Sequence, residues 1–188
     1  MRNAEASKER ILGAAMAEFS AYGMAGARVD RIAGTARCNK NLIYIYFESK
    51  EKLFSTVLEK HLARAYEEIP FTPDDLPGYA ARLFDFSLAH PDLMRLLVWS
   101  GLERKTGDPA EHNEKRDAKI SAITKAQRAG ELSGAFPPRF VLIAVMSIAT
   151  AWSAASPFGS MIDPDAVKRS AALRKHIAEA VRILTVAR

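Results

Sequence analysis

The sequence predicts an all-α protein. Apolar residues recur at three- and four-residue spacing along most of its 188 residues, the period of helices that bury one face. No alternating run of β-branched or aromatic residues is bounded by hairpin dipeptides, so strand signals are missing. Helix punctuation is frequent: polar or proline-led starts, and glycines just behind the last apolar residue. A hydrophobic fraction of 48% and a charged fraction of 26% suit a globular chain rather than a disordered one.

About nine helices are expected. The first runs from about Ser7 to Tyr22, with Ile11, Leu12, Ala15, Phe19 and Tyr22 recurring along its stripe and Gly23 as its stop. The second covers about Val29 to Ala36. The third covers about Lys40 to Phe47 behind Asn39 as N-cap. Ser49 caps a fourth, whose stripe of Leu53, Phe54, Val57, Leu58 and Leu62 continues to about Glu68. The segment from Ile69 to Pro77 is proline- and aspartate-rich, a linker or a helix start. Helix five follows to about His90, and Pro91 restarts the chain as helix six to about Glu103.

Asp108-Pro109-Ala110-Glu111 combines an N-cap, an N1 proline and a capping-box acid, and so opens helix seven, which ends before Gly130. Helix eight, about Arg139 to Ala155 behind Pro137-Pro138, is apolar nearly all round and needs cover on most sides. Asp163-Pro164-Asp165 starts helix nine, with Leu173, Ile177, Val181 and Leu184 as its stripe. These elements divide into an N-terminal three-helix unit over 1–49 and a larger helical domain over 50–188.

Within the first unit, two short helices are joined by a tight polar turn. The later one sets Ile43 and Phe47 on one face and polar and aromatic groups on the other. Helix one and the inner faces of helices two and three supply a small core of Ile11, Leu12, Phe19, Ile32, Ala33, Ile43 and Phe47. That leaves an outer face suited to the major groove of DNA, as in a helix-turn-helix. Asn39, Lys40 and Asn41 stand at its leading end; an asparagine can pair with adenine and a lysine can donate to guanine. An outward Leu42 meets a thymine methyl, while Tyr44 and Tyr46 donate to phosphates. Lys50 heads helix four beside free amides, and Arg28 at the head of helix two clamps another phosphate.

Charge agrees but adds little. The net charge of +5 and pI near 9.4 favour nucleic acid or an anionic surface as partner. The lone Cys38 excludes an intramolecular disulfide and a cysteine metal cluster, and fits a reducing, cytoplasmic setting. It reads best as a small apolar residue in the turn. The start MRNAEASKERI lacks the apolar stretch of a secretory signal. Phe140 to Ile162 carries no charge, but Ser, Pro and Gly interrupt it beyond Trp152, so a buried helix and a loop are expected rather than a membrane span.

The competing classes are an all-α enzyme and a protein-interaction module that binds no DNA. A metal-carboxylate bundle needs Glu-x-x-His repeats, yet the four histidines follow Leu58, Ser87, Pro109 and Leu173 at that spacing. Cys38 has no histidine in its unit to serve as base, and nothing calls for a metal or a cofactor. An interaction module leaves the polar and aromatic cluster on helix three unexplained.

The run IAGTARCNKNLIYIYFESKEKLF resembles the DNA-binding signature of the tetracycline-repressor (TetR) family of bacterial regulators. Ile32-Ala33, Tyr44, Phe47 and Lys50 occupy its characteristic places. Two positions depart: Arg37 stands where the turn usually holds glycine, so either it takes an unusual backbone conformation or the turn differs, and Arg28 replaces a threonine that contacts phosphate. The resemblance implies DNA contacts at Lys40, Asn41, Tyr44, Tyr46 and Lys50. It implies a homodimer held by the last two helices and a ligand cavity among helices four to seven.

Independently, helix eight is too apolar to face water, so Val145, Ile148 and Trp152, with Leu173, Ile177, Val181 and Leu184, are the expected dimer interface, the alternative being a helix eight central in a monomer. The expected function is a dimeric regulator of a palindromic operator in double-stranded DNA, by analogy a repressor, released by an unknown small apolar or aromatic effector. Candidate lining residues are His61, Phe84, Met94, Trp99 and Ile120, all of types that also build plain core.

Overall fold

The structure, a computed structural model, describes residues 2–103 and 110–187. Its helices are α1 (Arg2–Gly26), α2 (Val29–Ala36), α3 (Lys40–Phe47), α4 (Lys50–Glu68), α5 (Leu76–Ala89), α6 (Pro91–Glu103), α7 (Ala110–Arg128), α8 (Pro138–Thr150), α9 (Pro157–Ile162) and α10 (Ser170–Thr185). Short 3-10 turns occupy Pro73–Asp75 and Ala166–Arg169. No strand occurs among the described residues.

Two compact units emerge, and the first is discontinuous: Met1–Ala65 together with His90–Lys105. Inside it α1 packs against α2 and along α6, and α2 against α3. Ile11, Phe19, Ile32, Ile43, Leu53 and Leu96 are fully buried there. Phe19 meets Phe54 edge-on at 5.1 Å, an arrangement adding about 0.5–1.5 kcal/mol beyond area burial. The carbonyl of Ala36, left over at the end of α2, accepts from Arg10 Nε at 3.4 Å.

Helix α1 is longer than its apolar stripe implies and is broken at Gly23, where φ is 67° and ψ −179°. The chain restarts for one further turn. Glu103, at the end of α6, accepts from the amides of Met24 and Ala25 at 2.6 and 3.2 Å and so caps that turn. Trp99 lies over the same glycine, its ring within 2.9 Å of where a Cβ would stand. The expected stop is thus a kink clasped by α6.

The second unit comprises Tyr66–Ala89 and Thr106–Arg188. Helix α5 lies at its centre against α8 and α10, with α7 on α8. Leu76, Phe84, Ile123, Val145 and Ile177 form its buried heart. Gly130, at φ 76°, closes α7 as expected. The cap proposed at Asp108-Pro109 and Glu111 lies outside the residues whose side chains are described. Three boundaries differ from expectation, the first being α8, which ends at Thr150 rather than near Ala155. The stretch beyond Trp152 is not all loop, because Ser156 accepts from the amide of Phe158 and Pro157 takes N1, so α9 forms. The last α-helix begins at Ser170 rather than Asp163, with the 3-10 turn between them.

Candidate nucleic-acid interface

The turn between α2 and α3 is built as its sequence demands. Arg37 adopts the left-handed conformation at φ 52°, ψ 51°, and its amide closes α2. Cys38 is half-buried in the same turn, its amide donating to Ala33 O at 3.0 Å. Asn39 caps α3, its side-chain oxygen accepting from the Asn41 amide at 2.8 Å. The far end of α3 is tighter. Glu48 takes φ 65°, ψ −50°, and Ser49 N reaches Phe47 O at 2.6 Å, a γ-turn. That turn lets α4 begin at once, with Ser49 Oγ accepting from the Lys52 amide.

Glu18 of α1 ties the first two helices together. Its carboxylate accepts from the Arg28 amide and from Arg31 Nε, both at 2.8 Å. Burial alone would raise its pKa; the hydrogen bonds from Arg31 and Arg28, aided by Arg31's charge, more than offset that and leave it below the ordinary glutamate range. Arg31 also stacks over Tyr22 at 4.4 Å. The start of α2 is therefore held by a charge-assisted clasp rather than by a side-chain N-cap.

Helix α3 divides as expected. Ile43 and Phe47 are buried, while Lys40, Asn41 and Tyr44 are exposed, and Leu42 and Tyr46 half-buried. Arg28 and Asn39 are exposed as well. Four features escaped the sequence reading. Ile45 stands 73% exposed on α3, an apolar group with no core role. Lys40 Nζ is paired with Asp30 at 3.0 Å, and that hydrogen bond with Asp30's charge raises its pKa. Lys50 turns its amine onto Ala27 O at 3.2 Å. Between them lies an open groove of about 430 Å³ bordered by Arg28, Asp30, Lys40, Tyr44 and Lys50. A fourth feature is Lys8, whose amine sits 5.5 Å above the Tyr46 ring.

The candidate pocket residues belong to different units: His61, Met94 and Trp99 to the first, Phe84 and Ile120 to the second. Phe84 and Met94 are buried core, Trp99 covers Gly23, and His61 and Ile120 are half-buried. Burial first, then the charges of Lys60, Arg64 and His90, lower the His61 pKa. Of the proposed interface residues, Val145, Leu173, Ile177 and Val181 are buried within the subunit, while Ile148, Trp152 and Leu184 are half-buried. Apolar residues left exposed include their neighbours Ile143 at 64%, Phe158 at 68%, Met161 at 74%, Ile162 at 82% and, on α10, Ile183 at 63%. The stripe legible in the sequence is thus largely the inner one, taken up by α5.

Among the described residues no group of His, Cys, Asp or Glu could hold a metal ion, and no helix is long and apolar enough to cross a membrane. Comparison with known proteins agrees with the geometry of the helix-turn-helix. Residues 11–57 match the bacterial regulatory proteins of the tetR family, and residues 75–182 match the tetracyclin repressor-like C-terminal domain. The chain is 42% identical over 159 residues to the HTH-type transcriptional repressor SCO4008 of Streptomyces coelicolor, covering 83% of this chain and 82% of that one. It is 31% identical over 111 residues to the repressor NicS of Pseudomonas putida, covering 55% and 52% respectively. The crystal structure of a transcriptional regulator, SCO4942 of Streptomyces coelicolor, superposes with a TM-score of 0.84 at 36% identity, over 97% of this chain and 99% of that one. A buried-inside, polar-outside α3 on a three-helix core, matched at both ends of the chain, makes this protein a member of the TetR family of DNA-binding, non-enzymatic transcriptional regulators.

Proposed function

We propose that the chain is a homodimeric repressor that grips a palindromic operator through the outer side of α3 and lets go when a small molecule binds its C-terminal unit. The observation that carries this is the division of α3: with Ile43 and Phe47 committed to the core, Lys40, Asn41, Tyr44 and Ile45 remain outward on a rigid support. Asn41 and Lys40 supply base-edge donors, and Leu42 and Ile45 supply surface for thymine methyls. Arg28, Asn39, Tyr44, Tyr46 and Lys50 serve the phosphates and fix register. Lys40 must leave Asp30, and Lys50 must leave Ala27, to take up these roles.

The repressors SCO4008 and NicS, to which the chain is similar, support repression as the outcome. Exposed Ile143, Phe158, Met161 and Ile162 support a partner copy across α8 and α9, since apolar side chains in such number are costly in water. Two-fold pairing then sets the recognition helices about 34–36 Å apart, one turn of the duplex. Ligand binding that alters this spacing by a few ångströms abolishes simultaneous engagement.

Tyr44→Ala and Asn41→Ala, both at exposed positions, test the reading. Each is expected to weaken binding to a selected operator by about 1–3 kcal/mol in fluorescence anisotropy at constant salt, with helicity and oligomeric state unchanged. Unchanged affinity in both variants overturns the assignment of α3.

A further inference from the structure

Lys119 stands where a lysine is expensive. In the second unit, its amine in mid-α7 lies among three rings, 5.1 Å from the centroid of Tyr66, 5.6 Å from Phe71 and 5.3 Å from Tyr79. It donates a hydrogen bond to Tyr79 Oη at 3.0 Å. Burial pulls its pKa below the ordinary lysine range, against the influence of Tyr66. Burial also pushes the Tyr79 phenol up to about 12, so that hydroxyl stays neutral and supplies no counter-charge. No carboxylate among the described residues pairs with the amine.

Two further cations stand nearby. Lys115, one turn earlier on α7, holds its amine 4.5 Å from the Tyr66 ring centroid. Arg82, one turn beyond Tyr79 on α5, reaches Thr72 and Asp75 with its terminal nitrogens, yet its Nε is buried without a partner. Lys119 is half-buried, and its rings attract the ammonium without neutralising it, so the partly desolvated cation still gains from an opposite charge. An ammonium has three donors, and one is spent on Tyr79.

We infer that the effector of this regulator is a small organic acid, its carboxylate paired with Lys119 Nζ and its flat apolar body laid against Tyr66 and Phe71. The inference rests on the reading of the chain as a ligand-released repressor and narrows its effector to the anionic class. Arrival of the acid supplies the missing counter-charge and joins α7 to the segment between α4 and α5 through one bound molecule.

The test is calorimetric titration of the full-length protein with 2-naphthoate and with the uncharged 2-naphthamide, matched in shape. Wild type should bind the carboxylate at least tenfold tighter than the amide; Lys119→Met should erase that preference and Lys119→Arg retain it. Equal binding of the two compounds, no binding of naphthoate at millimolar concentration, or a preference surviving in Lys119→Met overturns the inference. Should Lys119→Met not fold, the wild-type comparison and Lys119→Arg decide. Operator binding is measured on the same preparations. Protein that holds operator but ignores the carboxylate loses the inference and keeps the repressor reading, whereas protein that holds no operator loses the repressor reading itself.

Discussion

Gly23 sits at φ 67°, ψ −179°, a region essentially closed to residues with a Cβ. A Cβ there would also lie 2.6 Å from Glu103 Oε1 and 2.8 Å from the Trp99 ring. Gly23→Ala is therefore expected to cost about 2–3 kcal/mol, the sum of backbone strain and a displaced cap, measured by urea unfolding. Asp30 works in the opposite sense on function. It is exposed and neutralises Lys40 through a 3.0 Å contact. Asp30→Asn frees that amine, so DNA binding should tighten, with the salt dependence steeper by about one counterion in a titration of affinity against salt. A tyrosine, an asparagine and a lysine on a short helix were legible as candidate contacts. The Asp30 partner was not, because it comes from the preceding helix across a turn.

At the level of elements, α1 and α2 are coupled through Glu18, and that coupling titrates. A carboxyl whose folded pKa lies below its unfolded value contributes stability that is fully present above the unfolded value, near 4.5, and is lost as pH falls through the folded one. Wild type should therefore lose more stability than Glu18→Gln between about pH 6 and about pH 3, followed by thermal unfolding across that range. At neutral pH Glu18→Gln should be less stable by about 1–3 kcal/mol, since charge-assisted hydrogen bonds become neutral ones.

Helix types and most boundaries were readable because each helix shows a stripe and a stop. Asn39 as N-cap followed directly from side-chain chemistry, and the family resemblance left either a left-handed Arg37 or a different turn, of which the first occurs. Helix α9 was missed because Ser, Pro and Gly read as loop, although Ser156-Pro157 is also a valid helix start. In α8, which is apolar all round, periodicity cannot say which side meets its own subunit; Val145 went inward and Ile143 outward. Lys119 was invisible, since its rings come from positions 66, 71 and 79 and a lysine in a polar helix reads as solvated.

For the whole molecule, the proposed function depends on two copies acting together. Ile143 and Phe158 are exposed in the isolated subunit, so charging them should spare its fold. The double variant Ile143→Glu, Phe158→Glu is expected to sediment as a monomer with unaltered helicity. Its operator affinity should fall about a hundredfold or more, the loss of effective concentration when two linked sites become one. A variant that remains dimeric moves the interface elsewhere.

The first unit is not a continuous stretch of chain: it closes only when α6, numbered 90 onwards, returns to lie along α1. Anyone who grafts this reader onto a different sensor by splicing after the third helix, or after the fourth, leaves behind Trp99, Glu103 and the buried Leu96. Such hybrids will inherit an uncapped kink and a bare apolar flank. A successful transplant must carry α6 as a second insert, so new operator preferences are more economically installed by rewriting the outer side of α3 than by exchanging the module.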